Sequence, residues 1–392
     1  GGQEVVTVTI NVADMSLIVK VPVSIQATKY QTKAYFYDST NRLTGVMRGV
    51  LEEDRFGYDA VGNRLTDIAR NTYTYNNANE LLNYDGITFT YDLNGNMTSK
   101  TDATGTIRYT YNTENQLIRV ELPDGRFVEY KYDPFGRRIE KSITDTATNT
   151  VTVKRYVYDR EDILFELDGN NNIITEYVHG PGIDEPIAMI RGGQTYYYHR
   201  DGLGSIIAIT DSAGRVVQRY EYDSFGAITY TQDATFKQPY TYTGREYDDE
   251  SGLYYYRARY YDAKVGRFLQ EDPFRGFLRH PQTQNRYSYT QNNPINFKDP
   301  FGLHTYIDRG KTPDGGNRYD VYDDKGNYTE TITTDKPPIY DVVEGAGACV
   351  DKALTETLDK IPPGQPITGD PKWDKLIDIF QILREGLKRT TK

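Results

Sequence analysis

Phe89-Thr90-Tyr91-Asp92-Leu93-Asn94-Gly95-Asn96 is the stretch whose reading decides the fold. Phe89-Thr90-Tyr91 alternates as a strand does. Asp92-Leu93-Asn94-Gly95-Asn96 then makes a turn, because Asp hydrogen-bonds turn amides and Gly or Asn tolerates positive φ. A second strand, such as Ile107-Arg108-Tyr109-Thr110-Tyr111, leaves it. Outward from here a Tyr-Asp-x-x-Gly-x-x-Leu pattern recurs with variations. It stands at Tyr37-Asp38 with Leu43, Tyr58-Asp59 with Gly62 and Leu65, and Tyr75-Asn76 with Leu81. It returns at Tyr111-Asn112 with Leu117, Tyr132-Asp133 with Gly136, and Tyr158-Asp159 with Leu164. The period is on the order of 20 residues, within the range of repeat architectures. One hairpin cannot bury its apolar face alone, so neighbours must stack into one long sheet. The Asp of Asp-x-Asn-Gly-Asn is a turn residue rather than a calcium ligand, since the bidentate Glu of a calcium loop is missing.

Composition agrees. Of 392 residues, 36 are Tyr, and 34 Gly with 17 Pro supply turns. The mean hydropathy of −0.70 understates the core, because tyrosine buries a large ring while its hydroxyl reaches a partner. The length allows two or three domains. A net charge of −10, from 46 basic and 56 acidic residues, argues against a phosphate-coating surface, which needs clustered Lys and Arg. Cys349 is the single cysteine and His179, His199, His280 and His304 are scattered, so no disulfide, metal site or cofactor is expected. No apolar run has the length of a membrane span. Gly1-Gly2-Gln3-Glu4 has neither initiator Met nor basic start, which suggests a chain beginning inside a longer precursor.

Four segments are expected. Residues 1–30 alternate as two strands with a turn near Ala13-Asp14, the end of a preceding β segment or an edge hairpin. Residues 31–195 hold the repeats, 196–303 a denser block of motifs, and 304–392 a tail. The dense block includes Tyr196-Tyr197-Tyr198-His199-Arg200-Asp201-Gly202-Leu203-Gly204, Tyr220-Glu221-Tyr222-Asp223-Ser224-Phe225-Gly226 and Tyr242-Thr243-Gly244-Arg245-Glu246-Tyr247-Asp248. It continues with Gly252-Leu253-Tyr254-Tyr255-Tyr256-Arg257-Ala258-Arg259-Tyr260-Tyr261-Asp262, Gly266-Arg267-Phe268-Leu269-Gln270-Glu271-Asp272-Pro273 and Asn285-Arg286-Tyr287-Ser288-Tyr289. Asn292-Asn293-Pro294 and Asp299-Pro300-Phe301-Gly302-Leu303 close it. This ordered succession, over roughly residues 35–303, resembles the Rhs-associated core that follows YD repeats in bacterial Rhs proteins. It is also similar to C components of insecticidal toxin complexes and, more distantly, to teneurins.

The resemblance implies a mainly β fold: YD-repeat hairpins coiled into a spiralling shell, closed by the Rhs core, with a small α/β tail. It implies that the shell encloses a variable C-terminal polypeptide, often a toxin, although family shells are usually longer than the repeats present here. It further implies that the core cuts its own backbone after Asp-Pro-x-Gly-Leu, by aspartates acting as in an aspartic protease. The matching scissile bond is Leu303–His304, and Asp299 and Asp272 are the matching carboxylates. Two nearby carboxylates sharing one proton suit such chemistry. Pro300 fixes φ after Asp299 and Gly302 allows a sharp turn. From the residues alone, both Asp-Pro pairs are equally turn formers. Arg267 is a candidate partner for one carboxylate.

Other motifs carry less. His199 is expected to be structural, and Gly202, Gly204 and Gly214 lack the Gly-Lys-Ser/Thr of a phosphate loop. Arg257-Ala258-Arg259 between tyrosines is expected to pack across strands rather than stack on nucleic acid. In the tail, Arg318 to Tyr328 looks like a hairpin, and helices are expected over 346–361 and from Asp370 to Leu387. Cys349 is expected to be an inert thiol. These features point to a secreted or cell-surface protein carrying its own C-terminal domain as cargo, with an immunity protein or delivery apparatus as partners. The rival is an extracellular fibre or adhesive scaffold that self-assembles into polymers.

Overall fold

The structure is a computed structural model. It describes residues 33–69, 71–275 and 281–303 in full, and the backbone of strands Glu4–Val12, Met15–Val23, Ile307–Lys311, Asn317–Tyr322 and Tyr328–Thr334. The turn near residues 13–14, the turn at 323–327, both tail helices, Cys349 and His304 lie outside the described residues. Almost all described residues fall in one compact unit, Gly1–Arg309 with Asp320–Thr331.

Among the described residues, sixteen strands run in strict chain order as one antiparallel sheet, from Tyr73–Tyr75 to Ile228–Thr231. The turn at Asp92 shows why each hairpin forms. The Asp92 amide donates to the Asn96 carbonyl at 2.9 Å and the Gly95 amide to the Asp92 carbonyl at 3.1 Å. The Asp92 carboxylate accepts the amides of Asn94 and Asn96, both at 2.9 Å. Gly95 takes φ +77, and the register shifts between Thr90 and Tyr91. This is a three-residue turn followed by a left-handed bulge, a standard hairpin closure. The same carboxylate or amide cap recurs at Asp38, Asp59, Asn112, Asp133, Asp168, Asp201 and Asp211.

The strand leaving the Asp92 turn is Met97–Asp102, not Ile107–Tyr111, which belongs to Gly105–Tyr111 one strand later. Met97-Thr98-Ser99-Lys100-Thr101-Asp102 is mostly polar, so apolar alternation does not disclose it.

Successive hairpins are pinned by tyrosine. Where a Tyr precedes the turn, its hydroxyl reaches a carbonyl of the preceding unit: Tyr111 donates to Met97 at 2.9 Å, Tyr158 to Arg138 at 2.8 Å and Tyr222 to Ile206 at 2.7 Å. At residue 179 a histidine occupies this position, its Nε2 lying 3.0 Å from the Ile163 carbonyl. Each such bond stabilises by about 1 kcal/mol, and loss of the buried acceptor's partner costs more.

The sheet coils until its end meets the segment that precedes its first strand. Phe225 packs edge-on to Phe56 at 5.2 Å, and the Arg64 guanidinium lies 4.2 Å from the Phe225 ring and 4.5 Å from the Phe56 ring. The sheet crosses residue 195 without a break, since Gln194–Arg200 pairs with strands on both sides.

Inside lies a second, four-stranded sheet: Glu246–Asp248, Leu253–Tyr256, Arg259–Asp262 and Arg267–Phe268. Its Leu253, Tyr255 and Tyr260, with Leu269 just after its last strand, pack with Phe89, Tyr109, Leu117 and Tyr130 of the long sheet. Buried ions fasten the two together. Arg138 bonds Glu246 at 2.7 Å and Asp248 at 2.5 Å, and Lys141 bonds Asp248 at 3.0 Å. Burial alone would raise the Asp248 pKa, but Arg138 and Lys141 pull it down to about 2. The chain is thus a mainly β shell closed by a core. Among the described residues no helix is long and apolar enough to cross a membrane.

Candidate active site

The turn Arg257-Ala258 joins strands Leu253–Tyr256 and Arg259–Asp262, with Tyr256 paired to Arg259. Against this turn lies the last described segment, Asp299-Pro300-Phe301-Gly302-Leu303. Its four carbonyls after Asp299 are held in succession. Arg257 Nη1 donates to Pro300 O, and the Ala258 amide donates to Phe301 O at 3.2 Å. Arg259 Nε donates to Gly302 O at 2.5 Å, and Arg259 Nη2 to Leu303 O at 2.8 Å. The approach demands glycine at 302: its φ is +64, and a Cβ there would lie 2.2 Å from the Tyr256 carbonyl oxygen.

Asp299 is buried. Its Oδ1 accepts the Leu303 amide at 3.1 Å, while its Oδ2 lies 3.4 Å from Arg259 Nη2. The same Nη2 is 2.9 Å from Asp272 Oδ2. Arg259 therefore bridges both carboxylates and the Leu303 carbonyl. Asp272 is seated by its backbone, whose amide donates to the Arg286 carbonyl at 2.9 Å and whose carbonyl accepts Arg286 Nε at 2.6 Å. Its Oδ1 caps the Phe274 amide at 2.9 Å. Burial pushes the Asp299 carboxyl up to about 6, with Arg259 pulling it down and Asp272 pushing it further up. Burial also lowers the Arg259 pKa, opposed by Asp272 and Asp299; arginine nevertheless stays charged.

Asp272, Asp299, Pro300, Gly302 and Leu303 are thus brought together around the Arg257–Arg259 hairpin. Arg267 is not with them, and the expectation that it pairs with a carboxylate is corrected. Its Nη2 donates to Asn79 O at 2.5 Å, Nη1 to Asn63 Oδ1 at 3.3 Å, and its guanidinium lies 5.0 Å from the Tyr75 ring. It fastens the core to the first repeats. Arg259, the first strand residue after the tip of a motif expected only to pack across strands, meets both carboxylates instead. The available signal was two arginines spaced by one residue at a hairpin tip, which no local rule distinguishes from packing. His199 is structural, with Nε2 3.0 Å from Thr210 Oγ1.

Chemically, a buried carboxyl with a raised pKa beside a second carboxylate can move protons near neutrality. A guanidinium on a carbonyl oxygen stabilises the negative charge that develops there on attack.

Residues 1–295 match the family described as Teneurin YD-shell. The chain is 37% identical over 260 residues to tRNA nuclease WapA of Bacillus subtilis (strain 168), a match covering 63% of this chain and 11% of that protein. To Double-stranded DNA deaminase toxin A of Burkholderia cenocepacia (strain H111) it is 31% identical over 302 residues, 69% of this chain and 20% of the toxin. The crystal structure of TcdB2-TccC3-Cdc42 superposes with a TM-score of 0.43 at 20% identity, over 76% of this chain and 20% of that one. The chain accordingly spans between a tenth and a fifth of the length of these relatives. With the match running through the repeats and nearly to the end of the core, the chain belongs to the teneurin YD-shell family of Rhs/YD-repeat proteins.

Proposed function

We propose that this chain is the C-terminal part of an Rhs/YD-repeat protein of the polymorphic-toxin kind, whose core cuts its own backbone between Leu303 and His304. Supporting this above all is the convergence of Arg259 and Asp299 on one residue, Leu303, with Arg259 on the carbonyl oxygen of the bond to be cut. In the proposed reaction a carboxylate of the Asp272–Asp299 pair removes a proton from water, and the water oxygen attacks the Leu303 carbonyl carbon. Arg259 stabilises the oxyanion. The intermediate then collapses: the C–N bond breaks, the protonated carboxyl gives its proton to the His304 nitrogen, and a new carboxyl group is left on Leu303. No cofactor takes part.

The fragment released is the cargo. Relatives named as a nuclease and a deaminase toxin support a variable effector in that place, with delivery apparatus and an immunity protein as its partners. Secretion or display at the cell surface follows from that role.

Intact mass and N-terminal sequencing of the purified chain test the reading. Wild type is expected to yield a fragment beginning at His304, and Asp299→Asn none. An uncut wild-type chain would reject self-cleavage and leave the extracellular scaffold as the better reading.

A further inference from the structure

We infer that Arg257, gripped by Asp184 and Glu161 from the shell, is a positioning residue for the cleavage motif, so that cutting waits until the coil has closed behind the core. This rests on the self-cleavage reading above and adds to it a shell-borne control.

Arg257 adopts φ +56, a left-handed conformation that costs a non-glycine residue about 1–2 kcal/mol and persists only where the surroundings hold it. One side of its guanidinium faces the shell. Nη2 donates to Asp184 Oδ1 at 2.8 Å, Nη1 to Asp184 Oδ2 at 3.4 Å, and Nε lies 3.4 Å from Glu161 Oε2. The other side faces the motif, where Nη1 bonds Pro300 O and the guanidinium lies 5.4 Å from the Phe301 ring. One planar group therefore ties two shell loops to the two residues before Gly302.

Both anchors belong to the long sheet. Glu161 sits in the turn between strands Thr150–Asp159 and Asp162–Asp168, and Asp184 in the connection from Ile173–His179 to Pro186–Arg191. Asp184 is buried and also binds Arg245 at 2.5 Å. Its loop is seated closely on the core: a Cβ on Gly244 would lie 2.5 Å from the Asp184 carbonyl oxygen. Burial raises the Asp184 pKa, but Arg245 and Arg257 lower it to below the ordinary value, so the carboxylate stays charged to hold Arg257. Arg259, which does the chemistry, follows Arg257 by two residues on the same hairpin. Until strands 150–191 have coiled into place, Arg257 has neither counter-charge, and nothing from the shell aligns Pro300 and Phe301.

The test uses the full chain made by cell-free translation, sampled by mass spectrometry after synthesis is stopped, with thermal unfolding of each variant alongside. Arg257→Gln and Asp184→Asn are each expected to slow first-order cleavage about 10- to 100-fold, the scale of a small misplacement of reacting groups. Arg257→Lys is expected to recover part of the rate. The double variant should be no slower than the slower single, as for two residues acting through one contact. The pH midpoint of cleavage should not move, because the Asp272–Asp299 pair is untouched. A folded Arg257→Gln chain cutting at the wild-type rate, or multiplicative losses in the double variant, would overturn the inference while leaving self-cleavage intact. Should the Gln variant not fold, Arg257→Lys and Asp184→Asn decide by the same criterion. A wild-type chain that is never cut rejects both readings together.

Discussion

Asp133-Pro134-Phe135-Gly136-Arg137 and Asp299-Pro300-Phe301-Gly302-Leu303 share four residues and one local geometry. In both, the aspartate Oδ1 accepts the amide four residues on, from Arg137 at 2.9 Å and from Leu303 at 3.1 Å. In both the glycine is left-handed, at φ +79 and +64. The surroundings then diverge. Asp133 Oδ2 is answered within the turn by Arg137 Nε at 2.7 Å, and Phe135 stands 51% exposed at the rim. Asp299 Oδ2 faces Arg259 and, through it, Asp272, and Phe301 is only 8% exposed. The pair teaches that the segment 299–303 is a repeat turn carried into the core. The hydrogen bond that closes a hairpin at 133 lies, at 299, on the residue whose carbonyl Arg259 holds. A turn becomes a site when its carboxyl is desolvated, given a second carboxylate and aimed at a gripped peptide.

The largest expected effect separates the two glycines. Gly302→Ala brings a Cβ to 2.2 Å from the Tyr256 carbonyl, whereas Gly136→Ala meets only the Gln116 side chain at 3.3 Å. Gly302→Ala is expected to abolish the His304 fragment in a mass measurement. Gly136→Ala should cut normally and lose only about 1–2 kcal/mol in denaturant unfolding, the cost of a left-handed Ala. Equal cleavage by both variants would break the comparison.

Next comes pH. The Asp299 carboxyl is raised to about 6, so the base form is lost as pH falls through that value. Cleavage should slow about tenfold per pH unit below it and level off above. Stability runs the opposite way at this group. A raised carboxyl pKa favours the folded state most below its ordinary range, and that contribution fades as pH rises through about 6. A cleavage rate flat from pH 5 to pH 8 would remove Asp299 from the proton transfer.

The smallest effect is the sharpest on motif against setting. Arg137→Leu converts 133–137 into the same five residues as 299–303. No fragment beginning at Arg138 is expected, and the lost half-buried, charged hydrogen bond should cost about 1–3 kcal/mol. A cut after residue 137 would mean that the five residues suffice without Arg259 and Asp272.

Much of the fold was legible because its decisive bonds are local. The Asp cap spans four residues, and the left-handed Gly or Asn stands at a set offset, so each hairpin is written within one repeat. The Tyr clamp reaches about one repeat further and was visible as a period, though not as a hydrogen bond. His179 was missed as a repeat residue because only the ring's position, not its identity, serves the clamp. The site was half legible. Asp272, Asp299 and the glycine stood out by motif, but Arg267 and Arg259 are both arginines in neighbouring short strands. Which one meets the carboxylates depends on strand pairing and on what lies across the core, and Asn63, Asn79 and Tyr75 claim Arg267.

By itself, then, the sequence determined the hairpins, their order, the coiling they require and the family, since short-range hydrogen bonds and a repeated pattern are properties of the chain alone. Only the tertiary structure decided which turn is the candidate site. Desolvation of Asp299, its partnership with Asp272 and the grip of Arg257 and Arg259 on three carbonyls join groups as many as 44 residues apart. The shell anchors Asp184 and Glu161 lie 73 and 96 residues from Arg257. Charges so distant along the chain act on one another only once folding has removed the water between them.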